Sequence, residues 1–362
     1  MIDPSQGLNA VSDVAIAGGK IAAIQPDIPQ EQAARTVNVS GQIVTPGLVD
    51  LHVHGFEGIS HWGIDLDQYC VTRGVTTAVD AGTSGADSFD GFRRLNIDGA
   101  RTRVLAFLNI SRVGLVGRPG ELIDPRMIDE AAALRVAREH ADVIVGLKVR
   151  CGSTVSGGND LQAIRAARKV GDAIRKPLMI HVGNPETPLD QILGELRPGD
   201  MVTHAFRAPG TGGVAAKDGK IPGFVLKAAE RGIRFDIGHG SGAFSFKTAE
   251  AALEAGLTPA SISSDIHAYS ALGPVFDLPT TLSKFLLLGV SLEKVIELST
   301  VAPANAISRG DSLGSLKPGR AADVAVFDLV RGDFTFVDST RAVRNFDRKL
   351  VPVLTLREGR LP

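Results

Sequence analysis

An alternation constrains this chain more than any other feature. Eight apolar, β-branched runs recur along it: IVTPGLVDLHVH (43–54), TTAVDAG (76–82), RVLAFLNI (103–110), VIVGLKV (143–149), LMIHVG (178–183), MVTHAF (201–206), IRFDIG (233–238) and SISSDI (261–266). Runs that are apolar on both faces mark buried parallel strands. Between them lie segments such as DEAAALRVAREH (129–140), DLQAIRAARKVGDAIR (160–175), PGFVLKAAERG (222–232) and KTAEAALEAG (247–256). These repeat apolar residues at three- and four-residue spacing, with charges on the opposite face, as helices do. Eight β-α units over about 250 residues predict a (β/α)8 TIM barrel, an α/β fold. A doubly wound open sheet is the competing arrangement, but no GxGxxG follows the first run and no GxxxxGK[ST] occurs.

The ends of the chain read differently. VSDVAIAGGKIAAIQP (11–26) predicts two short strands around a Gly-Gly turn. GSLKPGRAADVAVFDLV (314–330), RGDFTFVDS (331–339) and KLVPVLTLREGRLP (349–362) are strand-like, with turn residues between them. These flanks predict a small composite β-sandwich domain, residues 1–46 and 316–362, with the barrel at 47–315 inserted between its halves. The opening MIDPSQG reads as the middle of a hairpin whose preceding strand is missing, as a shortened chain or a mis-assigned start would leave it.

Composition excludes several function classes. With 39 basic and 40 acidic residues the net charge is -1, which gives no electrostatic footprint for nucleic acid or an anionic membrane. No apolar run reaches the roughly 18 residues of a membrane span, and no basic start precedes an apolar stretch as in a signal peptide. The expectation is a soluble cytoplasmic protein acting on a small molecule. Cys70 and Cys151 form neither a CxxC nor a disulfide framework, and Cys151 reads as a small buried hydrophobe.

In a TIM barrel the chemistry sits at the C-terminal ends of the strands. The first run ends in His52 and His54, which share one strand face because strand side chains alternate. Later runs carry Asp80, Asn109, Lys148, His181, His204, Asp236 and Asp265. Barrel cores take Val, Ile and Leu, whereas buried ionisable groups must be paired or bind metal. Four histidines, a lysine and an aspartate at the mouths of five strands have the chemistry of a two-metal hydrolase. His52, His54 and Asp265 would hold the more buried ion, and His181 and His204 the outer one. Imidazole with carboxylate suits Zn2+. As an ammonium, Lys148 cannot ligate. As a neutral amine it can add CO2, giving a carbamate whose two oxygens bridge both ions, and burial beside cations favours that neutral amine. A substrate-facing cation and a Schiff-base lysine are the other readings of Lys148. His61 and His140 read as surface or helix residues. His239 and His267, in loops after the seventh and eighth runs, could line the pocket.

The pieces TPGLVDLHVH, GLKV, MIHVG, VTHAF, SSDIHA and KPGRAADVAVFD together resemble the amidohydrolase superfamily over nearly the whole chain. The resemblance implies a (β/α)8 barrel, a small β-sandwich built from both termini and one or two metals. It implies the ligands His52, His54, carboxylated Lys148, His181, His204 and Asp265. Asp265 would also pass the proton of the attacking hydroxide to the leaving group. Non-catalytic relatives that serve as scaffolds usually lose ligands, and this chain keeps all six. Homologous barrels often assemble, so a homo-oligomer is expected.

The loops HVGNPET and FDIGHGSGAFSFK resemble a dihydroorotase-like subgroup whose members act as deacetylases of acylated 2-hydroxy acids, such as acetyl-(R)-mandelate. Dihydroorotases usually place an arginine just after the HxH, and HVHGFEG has none. C–N cleavage of a cyclic amide, as in dihydroorotases and hydantoinases, or of an N-acyl amino acid is the alternative. An acylated hydroxy acid needs a carboxylate anchor. Arg150, two residues beyond Lys148 on a continuing strand, is the first candidate, with a rim ion pair as its other reading. Arg207 comes second, and His239 could set specificity. The loop RAPGTGGVAAKDGK reads as a lid or as a merely long connection.

Overall fold

The computed structural model describes all 362 residues. Seven parallel strands lie side by side in chain order: β1 (Leu48–Val53), β2 (Val75–Gly85), β3 (Arg103–Asn109), β4 (Ile144–Cys151), β5 (Leu178–Val182), β6 (Met201–Thr203) and β7 (Arg234–Phe235). Residues 261–266 occupy the eighth position. Ser261 bridges Asp236, just past β7, and Ile266 bridges Val53 in β1, so the sheet closes on itself. The eighth run is predicted as a full strand but is held by these isolated bridges. Asp265 adopts a left-handed φ of 48°, which a regular strand cannot contain.

The first run also differs from its expectation as one strand. It breaks at Gly47: Ile43–Pro46 pairs antiparallel with the C-terminal strand Val324–Val337, and β1 begins the barrel. Pro46 has no N–H with which to continue a ladder. The helices Glu130–Glu139, Asp160–Ile174, Gly223–Glu230 and Phe246–Glu254 fall where the periodicity predicts them. The Asp129 carboxylate accepts from the Ala132 N–H and caps the first. Their apolar faces, such as Ala163, Ile164, Ala167 and Val170, pack into the large core outside the strands. A second apolar cluster fills the barrel's interior. It includes Val49, Val79, Leu105 and Phe107 from the strands, with Ala304 and Ile307 from the chain that closes the floor.

At the N-terminal end, Asp13–Ala17 and Lys20–Gln25 form the expected hairpin. Its turn residues Gly18 and Gly19 have φ of 56° and 76°, the positive pair that matches the twist of the strands. At the other end, Val324–Val337 and Val343–Leu356 form one long hairpin. The sequence places a turn near Arg331. The structure has a bulge there instead, with Gly332 and Asp333 facing Asp347 alone. The turn comes at Asp338, whose carboxylate accepts from the Thr340 and Ala342 N–H groups. Helix Leu278–Leu287 packs beneath this hairpin, and the Leu350 N–H donates to Ser283 Oγ at 2.9 Å.

Candidate metal centre

Five strand ends deliver the centre. His52 lies in β1 with His54 just beyond it, Lys148 in β4, His181 in β5, His204 just after β6, and Asp265 in the eighth segment. Asp265 is the hub. Its Oδ1 lies 3.1 Å from His54 Nε2 and 3.3 Å from His52 Nε2. Its Oδ2 lies 3.9 Å from His204 Nδ1. The His204 ring stands 5.0 Å from that of His52 and 4.2 Å from that of His181. Lys148 Nζ sits 3.4 Å from His52 Nε2. The structure thus brings all six residues together, and all but His181 are buried.

Hydrogen bonds behind the rings assign the tautomers. The Thr203 hydroxyl donates to Asp236 Oδ2 at 2.7 Å, so it accepts from His52 Nδ1–H at 2.8 Å. The Thr83 hydroxyl donates to Asp80 Oδ2 and accepts from His54 Nδ1–H, both at 2.7 Å. His204 Nδ1–H donates to the Gly238 carbonyl at 2.7 Å. Each Nε2 therefore carries a lone pair. Asp236 is anchored in turn by the hydroxyls of Ser261 and Ser263, and Asp50 by Ser264 and the His52 N–H.

Burial sets the charges. It pushes His54 down to about 3 and holds His52, His181 and His204 well below the usual imidazole range. They are neutral at pH 7, the form in which histidine ligates. Burial raises the Asp265 carboxyl to about 6, against the opposing pull of His267 and Lys148. It lowers the Lys148 amine to about 7, with Asp265 pulling the other way. The inner trio suits a cation. His52 Nε2 and His54 Nε2 present lone pairs to Asp265 Oδ1 at 3.3 and 3.1 Å, acceptor facing acceptor. A divalent ion satisfies all three, and their ligand atoms lie within 4.8 Å of one another. His204 and Asp265 take left-handed φ values of 64° and 48°. Such strain, of order 1–3 kcal/mol per residue, persists only where the surroundings hold it.

The two arginines differ in their partners. Arg150 pairs with Glu121, its Nη1 3.3 Å from a carboxylate that is 6% exposed. Arg150 thus has an ion-pair partner at the rim. Arg207 has no carboxylate within ion-pair reach, and its buried Nε has no partner. A Cβ placed on Gly183 would lie 2.7 Å from His181 Nε2 and 3.6 Å from Arg207 Nη1, so guanidinium and imidazole flank one small space. His239 does not line the pocket. It is fully buried, stacked on Phe244 at 4.6 Å, with Nε2 2.7 Å from Lys284 Nζ. His267 does face the centre, its Nε2 4.0 Å from Asp265 Oδ2. Trp62 packs 4.7 Å from His267 and 5.3 Å from Tyr269, giving the mouth an aromatic wall. The glycine-rich loop 207–220 is tied down rather than free. Val214 and Ala215 are buried, and the Val214 N–H donates to Ala205 O at 2.8 Å.

Sequence reading missed Thr83, Thr203 and Trp62. Thr203 directly precedes His204, and Thr83 follows Asp80 by three residues, but a threonine in a β-branched run looks like any strand residue.

Comparison with known proteins agrees with this geometry. The amidohydrolase family pattern matches residues 241–361. A deacetylase of Agrobacterium fabrum is 40% identical over 344 residues, covering 94% of this chain and 84% of its own. A deacetylase of Enterococcus faecalis is 34% identical, covering 100% of this chain and 98% of its own. A solved structure described as an adenine deaminase superposes with a TM-score of 0.92 at 34% identity, covering 96% of this chain and 95% of that one. One described as a dihydroorotase gives 0.90 at 39%, covering 98% and 94%. On its barrel, its convergent mouth and these relatives, the chain belongs to the amidohydrolase superfamily and is a hydrolytic enzyme.

Proposed function

We propose that the protein is a two-metal, zinc-dependent deacetylase. It cleaves the acyl ester or amide of a 2-hydroxy or 2-amino acid of the acetyl-(R)-mandelate type. The observation that carries this reading is Arg207, a guanidinium without a carboxylate partner beside the imidazole of His181. A substrate carboxylate supplies the missing partner and bonds it through two N–H groups. The relatives named deacetylase support the same reaction. The wall of Trp62, His267 and Tyr269 suits an apolar or aromatic group at C2.

In this reading His52, His54 and Asp265 would hold one ion, His181 and His204 would hold the other, and carboxylated Lys148 would serve as a ligand to both. When bound, the ions supply acidified water and a polarised acyl carbonyl. The remaining work falls to the chain's own groups. Asp265 takes the proton of the attacking water and hands it to the departing alkoxide or amine. Arg207 holds the carboxylate and fixes which face of C2 meets Asp265. The barrel, 47–315, carries the chemistry, and the composite domain of 1–46 and 316–362 braces it. No helix is long and apolar enough to cross a membrane, and the reading places the reaction in the cytoplasm.

The test is a matched panel offered to zinc-reconstituted protein. It holds O-acetyl and N-acetyl derivatives of both enantiomers of several 2-substituted acids, with dihydroorotate and hydantoin. Turnover confined to one enantiomer of the acyclic acids is expected. The dihydroorotase neighbour keeps ring opening as a second reading. Turnover of the cyclic amides alone would establish that reading in its place.

A further inference from the structure

Behind the centre lies a second buried lysine that the reaction does not use. Lys284, in helix Leu278–Leu287, is 1% exposed. Its Nζ reaches His239 Nε2 at 2.7 Å, the Pro274 carbonyl at 2.9 Å and the Val337 carbonyl at 2.8 Å. An ammonium has three N–H donors, and each has one acceptor here. The lysine therefore ties its helix to the end of a C-terminal strand, to the loop after the eighth segment and to the loop after β7.

His239 carries this tie to the metal centre. Because Lys284 donates to Nε2, the ring proton sits on Nδ1, which donates to the Gly240 carbonyl at 2.9 Å. The backbone on either side of His239 touches the centre. The Gly238 carbonyl accepts from His204 at 2.7 Å. Gly240 has a φ of 51°, and a Cβ there would lie 2.1 Å from Asp265 Oδ2. Ser339, two residues past Val337, also donates to the Gly240 carbonyl, at 3.2 Å.

We propose that Lys284 and His239 are positioning residues that clamp Gly238–Gly240 against His204 and Asp265, making the metal centre depend on the C-terminal hairpin through Val337 and Ser339. The clamp rests on the metal-centre reading above for its consequence, though not for its geometry. A pair that merely filled space would change melting temperature and leave ligand geometry alone. Loss of a partner that orients a ligand costs 10–100-fold in metal affinity.

The experiment measures Zn2+ affinity by chelator competition in wild type, Lys284→Met, His239→Phe and His239→Gln. Lys284→Met and His239→Phe are expected to bind zinc about 10–100-fold more weakly. His239→Gln is expected to stay within about threefold of wild type, because its amide can accept from Lys284 and donate to Gly240. Wild-type affinity in both weakened variants would overturn the clamp. If Lys284→Met fails to fold, the Phe and Gln variants decide, since Gln can keep both hydrogen bonds at issue and Phe can keep neither. Hydrogen exchange of the metal-free protein gives a readout that needs no ion. Amide exchange across 238–240 is expected to rise in His239→Phe while β2 to β4 stay protected, and unchanged exchange there would also overturn the clamp. A wild type that binds no zinc would remove the metal reading and leave the clamp to be judged by exchange.

Discussion

Two regions of this barrel bury a lysine under the same conditions and treat it in opposite ways. Lys148, at the mouth, and Lys284, behind the loop after β7, are each 1% exposed, and burial lowers each amine from 10.5 to about 7. Lys284 has two carbonyls and an imidazole nitrogen within 2.9 Å. Lys148 has the Met179 sulfur and His52 Nε2, both at 3.4 Å, and that nitrogen also faces Asp265. Desolvation measures how reluctantly a group carries charge, and partners decide which species results. Three good acceptors fix Lys284 Nζ in place and turn its N–H groups to structure. The acceptors around Lys148 are longer, and this leaves its amine available for the carbamate proposed above.

The largest effect is expected at Lys148. Lys148→Ala should leave at least one ion unheld by elemental analysis. The several kcal/mol that a Lewis acid supplies correspond to roughly a 10³-fold loss of turnover. Small carboxylic acids should restore part of it. Full metal content in that variant would break the contrast between the lysines. Next comes Asp265, the carboxylate that pulls hardest on the Lys148 amine. Asp265→Asn should retain metal and lose about 10²–10³ in kcat. A near-native kcat would move the proton transfer to another group.

A smaller effect is expected at Arg207. Arg207→Met should raise KM for carboxylate substrates about 10–100-fold, the range of a charged hydrogen bond, and leave a neutral ester analogue alone. Arg150→Met should change KM less than about threefold, since its partner is Glu121. The reverse ranking would return the anchor to Arg150. The smallest effect concerns both lysines in metal-free protein. Between pH 7 and 9 the unfolded amines bind protons that the folded ones release, so stability rises with pH. Each lysine can contribute at most about 1.4 kcal/mol per pH unit. Thermal melts should show the rise, and replacing either lysine should flatten it. A wild-type curve that falls over this window would contradict the lowered amines.

The eight-fold alternation was legible because buried parallel strands and amphipathic helices write different periods into the sequence. The convergence of His52, His54, Lys148, His181, His204 and Asp265 was legible too, because ionisable residues stand out at strand ends that otherwise take Val, Ile and Leu. What lay outside the sequence's reach depends on partners distant along it. Arg150 meets Glu121 only after a loop folds back, and nothing local to Arg150 reveals that partner. Lys284 sits at helical spacing like any solvated lysine, and nothing local reveals that Val337 and Pro274 enclose it. The bulge at Gly332 and Asp333 reads as a turn because both use the same residue types.

The aromatic wall has a practical consequence. The chain contains one tryptophan, Trp62, whose ring lies 6.1 Å from that of His54 and 4.7 Å from that of His267. Its fluorescence therefore reports from the mouth of the barrel with no signal from any other indole. An ion drawn to His54 or an acyl acid laid against the wall changes the surroundings of that single emitter. The protein carries its own optical gauge of occupancy, and binding can be titrated by light before any substrate is known.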